Sequence, residues 1–278
     1  MKRRAAKLTV MLAALALAPA LVACGGGGGG SGNAAAAGPS ELQKVLNRGT
    51  LRVAVLPDFP PSSVKDPSGQ IVGFEPDIAK KLADALGVKL QLVPIDGTAR
   101  LSVMQSGRAD VNISAYTATN ERAEKVAFTI PYVAHGAGIL YRKSNPITGL
   151  NDLAGKKVAV ARGSTNDTIV TQDFPKATPV RFDNIADALQ ALKSGKVDAA
   201  MEDYTVVHQA VAENPNLAAL NAPPIDPAIV SMGVLPGQQI WLNYLNNFIR
   251  NLISSGTDNA LFEKWFHQPL PSVIGGIG

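Results

Sequence analysis

From residue 40 onward, short runs of apolar residues alternate with longer stretches in which apolar residues recur every three or four positions. The runs predict strands, and the three- or four-residue spacing predicts amphipathic helices, such as the one over residues 75–86 that Gly87 ends. The full pattern predicts helices at 40–47, 75–86, 100–105, from 165 and at 185–193, and strands at 51–56, 88–93, 111–114, 157–161, near 180 and at 197–201. This alternation is typical of an α/β fold with a parallel or mixed sheet covered on both faces.

One short segment of the sequence recurs 88 positions later. Residues 106–110 (SGRAD) return as 194–198 (SGKVD), and Tyr-Thr follows six residues after each aspartate, at 116–117 and 204–205. Each copy follows a predicted helix, turns at a glycine and enters a strand with polar residues beyond its end. Ligands of open α/β sheets bind beyond the carboxyl ends of the strands. The repeat therefore predicts two similar α/β units that share a cleft.

The N-terminus has the features of an export signal. Basic residues occur within positions 1–7, and an almost unbroken apolar run follows at 8–23. That order is typical of a secretory signal peptide, and the run is shorter than the ~20 apolar residues of a spanning helix. It ends in residues 21–24 (LVAC), which resemble the bacterial lipobox, so that residues 1–23 would be removed and Cys24 lipidated. The alternative is a buried cysteine after an uncleaved anchor.

The residues after the signal fit a protein held at a membrane. Cys24 is the only cysteine, so the exported part has no internal disulfide. Residues 24–39 are rich in Gly and Ala, cannot build a core and predict a tether. We therefore expect an exported, membrane-anchored lipoprotein that faces the periplasm or the cell exterior.

Composition and charge narrow the functional classes. The chain has 278 residues, of which 46% are hydrophobic and 17% charged, which suits one large domain or two lobes and excludes a disordered or coiled-coil chain. The net charge of +4 comes from four basic residues at positions 2, 3, 4 and 7. The remainder is neutral, which argues against nucleic-acid binding. The histidines at 135, 208 and 267 are isolated in sequence, and we expect no metal, no cofactor and no catalytic triad.

A set of motifs in fixed order resembles one protein family over residues 41–267. The motifs are 49–55 (GTLRVAV), 59–61 (FPP), 73–79 (GFEPDIA), 105–110 (QSGRAD), 119–122 (TNER), 128–132 (FTIPY), 152–158 (DLAGKKV), 163–165 (GST), 194–199 (SGKVDA), 255–258 (SGTD) and 263–266 (EKWF). They resemble the extracellular solute-binding proteins of family 3, the polar-amino-acid binders of bacterial ABC importers. Each motif is common by itself, whereas their order and spacing are specific.

The resemblance implies a two-lobed periplasmic-binding-protein-like (type II) fold with two hinge crossings. Lobe 1 would comprise residues 40–134 and 235–278, and lobe 2 residues 138–228. The hinges would lie at 134–138 and 225–235. Such a protein is expected to act as a monomer, to capture an amino acid by closure of the lobes and to deliver it to an ABC permease in the membrane.

The resemblance also assigns the two charged ends of an amino acid. Arg122 stands where the family's arginine grips the α-carboxylate, and a guanidinium suits such a bidentate contact. Asp203 matches the aspartate that holds the α-ammonium, with Glu202 as the alternative because side chains alternate along a strand. Two structural alternatives stay open, namely a surface arginine at a helix start for Arg122 and a helix N-cap for Asp203.

Four hydroxyl residues match further ligand contacts of the family. Ser114 and Thr117 match positions in lobe 1 that supply hydroxyl and backbone hydrogen bonds. Ser164 and Thr165 match a helix N-terminus in lobe 2, where free N–H groups favour an anion. An ordinary helix cap is the alternative, above all for Ser114 and Ser164.

The resemblance assigns fewer residues to the walls around the ligand and to the choice of amino acid. Phe59 matches an aromatic wall, although an aromatic before two prolines equally fits a core. Gly97 stands where a second aromatic is usual, so the opposite wall is either missing or supplied by Tyr116. Arg100 resembles an arginine that holds the side-chain carboxylate of acidic amino acids, and Leu56 stands where some binders of cationic amino acids have aspartate. We therefore expect a polar or acidic amino acid as the ligand.

Two rival functions use the same fold. Cyclohexadienyl dehydratases, which act on arogenate or prephenate, resemble the family and need a carboxylate tuned as an acid or base near the second hinge, where residues 228–234 (AIVSMGV) offer none. A sensory input domain would be followed by a membrane helix and a kinase region, which do not follow before residue 278. We therefore expect a binding protein and not an enzyme.

Overall fold

The computed structural model describes residues 38–270. The predicted signal peptide, the predicted lipidation site Cys24 and most of the predicted tether lie outside the described residues, as do residues 271–278. Within residues 38–270, no helix combines the length and the apolar character that crossing a membrane requires.

The helices follow the local signals in the sequence closely. They are α1 (Glu41–Arg48), α2 (Phe74–Leu86), α3 (Arg100–Gln105), α4 (Asn120–Ala123), α5 (Thr165–Asp173), α6 (Ile185–Lys193), α7 (Tyr204–Glu213), α8 (Gln239–Ser254) and α9 (Thr257–Phe266). The Ser40 hydroxyl caps α1 by accepting the N–H of Gln43, and Gly49 ends that helix with φ 65°. Gly87 ends α2 in the same way, with φ 67°. The predicted helices at 40–47, 75–86, 100–105, from 165 and at 185–193 are thus confirmed.

The strands include two long ones that the apolar runs did not predict as single elements. The strands are β1 (Thr50–Val55), β2 (Asp58–Phe59), β3 (Ser63–Lys65), β4 (Ile71–Val72), β5 (Lys89–Pro94), β6 (Val111–Asn112), β7 (Ala127–Arg142), β8 (Lys157–Ala161), β9 (Thr178–Phe182), β10 (Ala199–Asp203), β11 (Leu217–Ala219) and β12 (Ile225–Val234). The strands β7 and β12 are the long ones, and the predicted hinge segments 134–138 and 225–235 fall on them.

One mixed sheet runs through the described chain in the order β5-β1-β6-β12-β7-β10-β8-β9, with β11 also paired to β7. Pairing is parallel within the β5-β1-β6 and β10-β8-β9 groups and antiparallel where β7 meets β10 and β12. The small sheet β2-β3-β4 lies outside it. This pairing confirms the expectation of a parallel or mixed sheet.

The helices cover the two ends of this sheet, and one core cluster joins Leu56 and Phe59 of one end to Ile185 of the other. We call β1–β6 with α1–α4, α8 and α9 the first half, and β8–β10 with α5–α7 the second half. The main core of the first half joins Val45 and Leu51 to Trp241 and Phe262 from the last two helices. The second half has cores on both faces of its strands. The chain enters the second half along β7 and returns along β12, which places the strand ends of the two halves opposite each other.

Candidate ligand-binding cleft

A cleft lies between the two halves, at the carboxyl ends of their strands. Leu56 follows β1 and Asp96 follows β5 in the first half, and Ala161 and Asp203 end β8 and β10 in the second. The lining residues are Leu56, Asp58, Phe59, Asp96, Gly97, Arg100, Ala115, Thr117, Arg122, Ala161, Arg162, Ser164, Thr165, Asn166, Asp183, Asn184, Ile185, Glu202 and Asp203. The cleft is thus where the recurring segment of the sequence predicted a shared site.

Most residues expected at the site line this cleft. They are Phe59, Arg100, Thr117, Arg122, Ser164, Thr165 and Asp203. Ser114 and Tyr116 do not line the cleft and lie behind it, with exposed fractions of 0% and 5%. The fold therefore brings residues from distant parts of the sequence to one surface and places two of the expected residues in a supporting layer.

Arg122 connects the two halves across the cleft. It lies in the first turn of α4, whose cap residue Thr119 accepts the backbone N–H of Arg122 at 3.2 Å. Its guanidinium donates to the carbonyl of Thr117 in the first half and to the carbonyl of Gly163 in the second, both at 3.0 Å. Burial lowers the pKa of Arg122 from its ordinary value. Because a guanidinium carries five N–H groups, further donors remain for a carboxylate.

Arg100 is buried, and three of its five N–H groups donate to backbone carbonyls. Its Nε and Nη2 donate to the carbonyl of Ser114 at 3.0 and 2.9 Å, and its Nη1 donates to the carbonyl of Gly97 at 3.0 Å. The Ser114 hydroxyl accepts from Nε at 3.1 Å, so Ser114 holds the arginine in place. Burial, together with the nearby charge of Arg122, lowers the pKa of Arg100 to about 10, at which it is still a cation near neutral pH.

The position of the Arg100 guanidinium explains why residue 97 is a glycine. A Cβ at Gly97 would come within 2.9 Å of Nη1 of Arg100. A larger residue there would displace the guanidinium, so the absence of a second aromatic accompanies the placement of Arg100 against this loop.

Tyr116 supports both arginines from behind. The Cζ atoms of Arg100 and Arg122 lie 5.4 and 5.2 Å from the centre of its ring, a distance at which the π face attracts cations. The ring also packs edge-on against Phe128, with centroids 5.1 Å apart. Tyr116 therefore lies beneath the cationic end of the cleft and supplies no wall on its lining surface.

Asp203 provides an acceptor on the opposite side. It is the cap residue of α7, yet its side chain makes no capping hydrogen bond. Instead, Oδ1 accepts from the Asn166 amide at 3.3 Å, and Oδ2 lies 3.4 Å from Nδ1 of His135 on β7. Burial lowers the pKa of His135, and the charge of Asp203 acts in the other direction. The carboxylate thus accepts a side-chain hydrogen bond from Asn166 and none from its own helix, while both ring nitrogens of His135 lack a partner among the described residues.

Glu202 projects from the other face of β10, as strand alternation requires. It lines the cleft but is only 1% exposed, and its Oε1 has no hydrogen-bond partner among the described residues. Burial raises the pKa of Glu202 well above its usual value, and the charges of Asp203 and Asp58 raise it further. The sequence had suggested Glu202 only as a substitute for Asp203, whereas the structure brings both to the cleft.

Asp58 is a lining residue that the sequence did not suggest. It belongs to β2 of the first half, and its Oδ2 accepts the backbone N–H of Ile185, the first residue of α6 in the second half, at 2.9 Å. Burial raises the pKa of Asp58 despite that bond. An acidic residue next to the expected wall residue Phe59 was the signal that was available.

Glu75 is a second residue that the sequence did not suggest, although it lies inside the GFEPDIA motif. It is fully buried, and its Oε1 accepts the backbone N–H of Ala115 and the hydroxyl of Tyr132, both at 2.6 Å. Burial raises the pKa of Glu75 to about 7. Because Ala115 has φ 49°, an unusual value for a residue other than glycine, Glu75 helps to fix the turn that presents Thr117.

The remaining expected residues have both structural and surface roles. Phe59 is 3% exposed and packs edge-on against His135, with centroids 5.9 Å apart, so it belongs to the core and to the cleft wall together. Ser164 caps α5 by accepting the N–H of Asp167 at 3.1 Å, and Thr165 begins that helix. In the part of the chain that the structure describes, no group of three or more His, Cys, Asp or Glu residues is arranged to hold a metal.

Comparisons with known proteins agree with this architecture. The model of the family "Bacterial extracellular solute-binding proteins, family 3" matches residues 51–268. The L-cystine-binding protein TcyJ of Escherichia coli (strain K12) is 31% identical over 227 residues, which cover 81% of this chain and 85% of TcyJ. The ABC transporter glutamine-binding protein GlnH of Bacillus subtilis (strain 168) is 29% identical over 253 residues, covering 89% and 92%.

The chain is also similar to a solved structure and to an enzyme. A mutant of ArgBP from T. maritima superposes with a TM-score of 0.77 at 35% identity, over 82% of this chain and 100% of ArgBP. A cyclohexadienyl dehydratase of Pseudomonas aeruginosa is 27% identical over 251 residues, covering 86% of this chain and 91% of the enzyme. Binding proteins and an enzyme thus both resemble this chain.

Proposed function

The chain belongs to the bacterial extracellular solute-binding proteins of family 3, and on that premise we propose that it captures an amino acid outside the cytoplasm and delivers it to an ABC transporter. Relatives named for binding cystine, glutamine and arginine support an amino acid as the ligand. The ligand lies in the cleft between the two halves.

The placement of Arg122 and Asp203 carries this proposal. The two side chains of opposite charge come from different halves and line one cleft. An α-amino acid has a carboxylate and an ammonium on the same carbon, so it needs a cation and an anion close together. Arg122 binds the carboxylate, and Asp203, fixed by Asn166, binds the ammonium.

The other lining residues complete the polar contacts. Thr117 and Thr165 supply hydroxyl or backbone hydrogen bonds, and Ser164 orders the first turn of α5 that faces the carboxylate. Phe59 forms an apolar wall. Ser114 and Tyr116 act from behind, because Ser114 accepts hydrogen bonds from Arg100 and the Tyr116 ring packs against Arg100 and Arg122.

Closure of two lobes accounts for capture and release. Lobe 1 comprises residues 40–134 and 235–278, lobe 2 comprises 138–228, and the chain bends at 134–138 and 225–235. The hydrogen bonds from Arg122 to Gly163 and from Ile185 to Asp58 cross the cleft, so they form on closure and break on opening.

A thermal-shift screen of the twenty amino acids followed by calorimetry tests this function, because a ligand that binds only the folded state raises its apparent stability. We expect at least one amino acid to bind, and Arg122→Ala and Asp203→Ala each to weaken it tenfold or more, since a hydrogen bond to a charged group contributes about 1.5–3 kcal/mol. The exposed residues Arg108 and Asp173 provide matched controls, and their alanine variants are expected to bind normally. Binding that survives both cleft variants would refute the assignment.

The enzymatic alternative has its own assay. The similarity to a cyclohexadienyl dehydratase makes arogenate and prephenate the substrates to test. Glu202 brings a buried carboxyl group with a raised pKa to the cleft, but residues 228–234 on β12 contain no carboxylate, so we expect neither substrate to be converted. Turnover of either substrate would replace a pure binding function.

Attachment to the membrane belongs to the same proposal. The protein is exported, loses residues 1–23, and is held as a monomer by lipid on Cys24. Metabolic labelling with a radioactive fatty acid is expected to mark the wild-type protein and not a Cys24→Ala variant, which would leave the membrane fraction. Light scattering of the purified protein is expected to give the mass of a single chain.

A further inference from the structure

The charges that line the cleft are unevenly satisfied by the protein. Three arginines and several carboxyl groups line it. Among the arginines, Arg100 donates to the carbonyls of Ser114 and Gly97, and Arg162 is paired with Asp183 at 3.1 Å. Arg122 is assigned to the α-carboxylate. Each of the three arginines is therefore bonded to the protein through at least one nitrogen, and Arg100 keeps two N–H groups without a bond to a described residue.

The acidic side of the cleft has the opposite character. Glu202 is 1% exposed, its Oε1 has no partner, and it forms no ion pair with any described residue. Asp203 adjoins it on β10, and Asp58 approaches from the first half closely enough to act on it electrostatically. A buried carboxyl oxygen without a hydrogen-bond partner is costly, and the charged neighbours that raise the pKa of Glu202, Asp203 and Asp58, are both acidic.

A ligand side chain with N–H donors supplies what Glu202 lacks. Oε1 accepts a hydrogen bond from a guanidinium, an ammonium or an amide, and the two cationic groups also offset the charges of Asp58 and Asp203. A carboxylate side chain has only acceptors at neutral pH, so it could bond to Glu202 only through the proton that Glu202 keeps, and it would face the charges of Asp58 and Asp203. The unpartnered oxygen is thus a feature that separates glutamine from glutamate, which have nearly the same shape.

We propose that Glu202 is the specificity residue of the cleft and that the ligand is an amino acid whose side chain ends in N–H donors rather than in a carboxylate. This inference rests on the proposed function, because it takes the cleft as the amino-acid site. It also departs from the expectation of an acidic ligand, because Glu202 and its acidic neighbours line the same cleft as Arg100.

Calorimetric titration of the full chain with L-glutamine, L-arginine, L-lysine and L-glutamate tests the proposal. We expect at least one of the first three to bind tenfold or more tighter than glutamate. Glu202→Gln is expected to weaken arginine or lysine tenfold or more and to reduce the discrimination against glutamate. Glu213→Gln, an exposed change on α7, is the matched control and is expected to alter neither.

The outcomes separate the two levels of the argument. If glutamate or aspartate binds more tightly than the donor-bearing amino acids, or if Glu202→Gln leaves the preference unchanged, the specificity assignment is wrong and the amino-acid function stands. If no amino acid binds, both are wrong. Should Glu202→Gln fail to fold, the preference of the wild-type protein between glutamine and glutamate decides the question.

Discussion

Replacing Glu75 with glutamine tests whether a carboxyl group behind the cleft makes stability depend on pH. In the Glu75→Gln variant, the side-chain amide oxygen still accepts from Ala115 and Tyr132, and an NH₂ group takes the place of the unpartnered Oε2. The variant therefore keeps the shape and removes the titration. The two proteins are expected to differ most in how their stability changes with pH.

The direction follows from the pKa of Glu75, which burial raises from 4.5 to about 7. Below pH 4.5 the group is protonated in both the folded and the unfolded chain. Between pH 4.5 and about 7 the unfolded chain loses the proton while the folded protein keeps it, so stability falls as pH rises. Above about pH 7 both forms are ionised and the loss is complete. At about 1.4 kcal/mol per pH unit, the wild-type protein loses roughly 3 kcal/mol that the variant does not.

Urea unfolding of both proteins at intervals from pH 4.5 to 8 provides the measurement. Because every other group titrates in both proteins, the difference between their unfolding free energies isolates Glu75. We expect the advantage of the wild-type protein to shrink by about 3 kcal/mol across this range. A difference that stays constant, or that grows with pH, would show that the carboxyl is ionised in the folded protein throughout.

Three further predictions concern the cleft and its supports. Asp58→Asn weakens the hydrogen bond from Ile185 that joins the halves, and a bond to a charged acceptor contributes about 1.5–3 kcal/mol, so stopped-flow kinetics should show the ligand dissociating about tenfold faster. An unchanged dissociation rate would mean that this bond does not hold the closed form. Gly73→Ala places a Cβ against the carbonyl oxygen of Ser62 at a backbone φ of 142°, so urea unfolding should show that the free energy of unfolding falls by roughly 3 kcal/mol or more. A decrease of less than about 1 kcal/mol would mean that the loop adjusts. Because burial raises the pKa of Glu202, a cationic ligand should bind more tightly as pH rises, and its binding should release a proton from Glu202. Calorimetry in two buffers with different ionisation enthalpies detects this release, and proton uptake would contradict the prediction.

Local signals in the sequence were sufficient for most of the elements. The helix α6 has the predicted bounds because Asn184 caps it and its apolar residues repeat at helical spacing. The long strand β7 was not predicted as one element, since Pro131, Gly136 and Gly138 interrupt its pattern. Pairing with β12 on one side and β10 on the other holds it extended, and such long-range pairing has no local signal.

The site was predicted by residue type and only partly by role. Arg122 and Asp203 were expected from the sequence, and both line the cleft. Nε, Nη1 and Nη2 of Arg100 each donate to a backbone carbonyl. These bonds depend on where the backbone of Ser114 lies after folding, which the spacing of residues in the sequence does not reveal. The burial of Glu75 and Glu202 depends on elements far away in sequence for the same reason.

The path of the chain has a consequence for the order of folding. Trp241 on α8 donates to the carbonyl of Asp110, 131 residues earlier, and Phe262 on α9 packs against Phe74 with ring centroids 5.6 Å apart. The N-terminal strands can therefore be covered only after α8 and α9 have been synthesised. The second half is continuous in sequence and precedes these two helices, so a chain that emerges from its N-terminus completes the second half first. The N-terminal strands emerge earliest and are covered last.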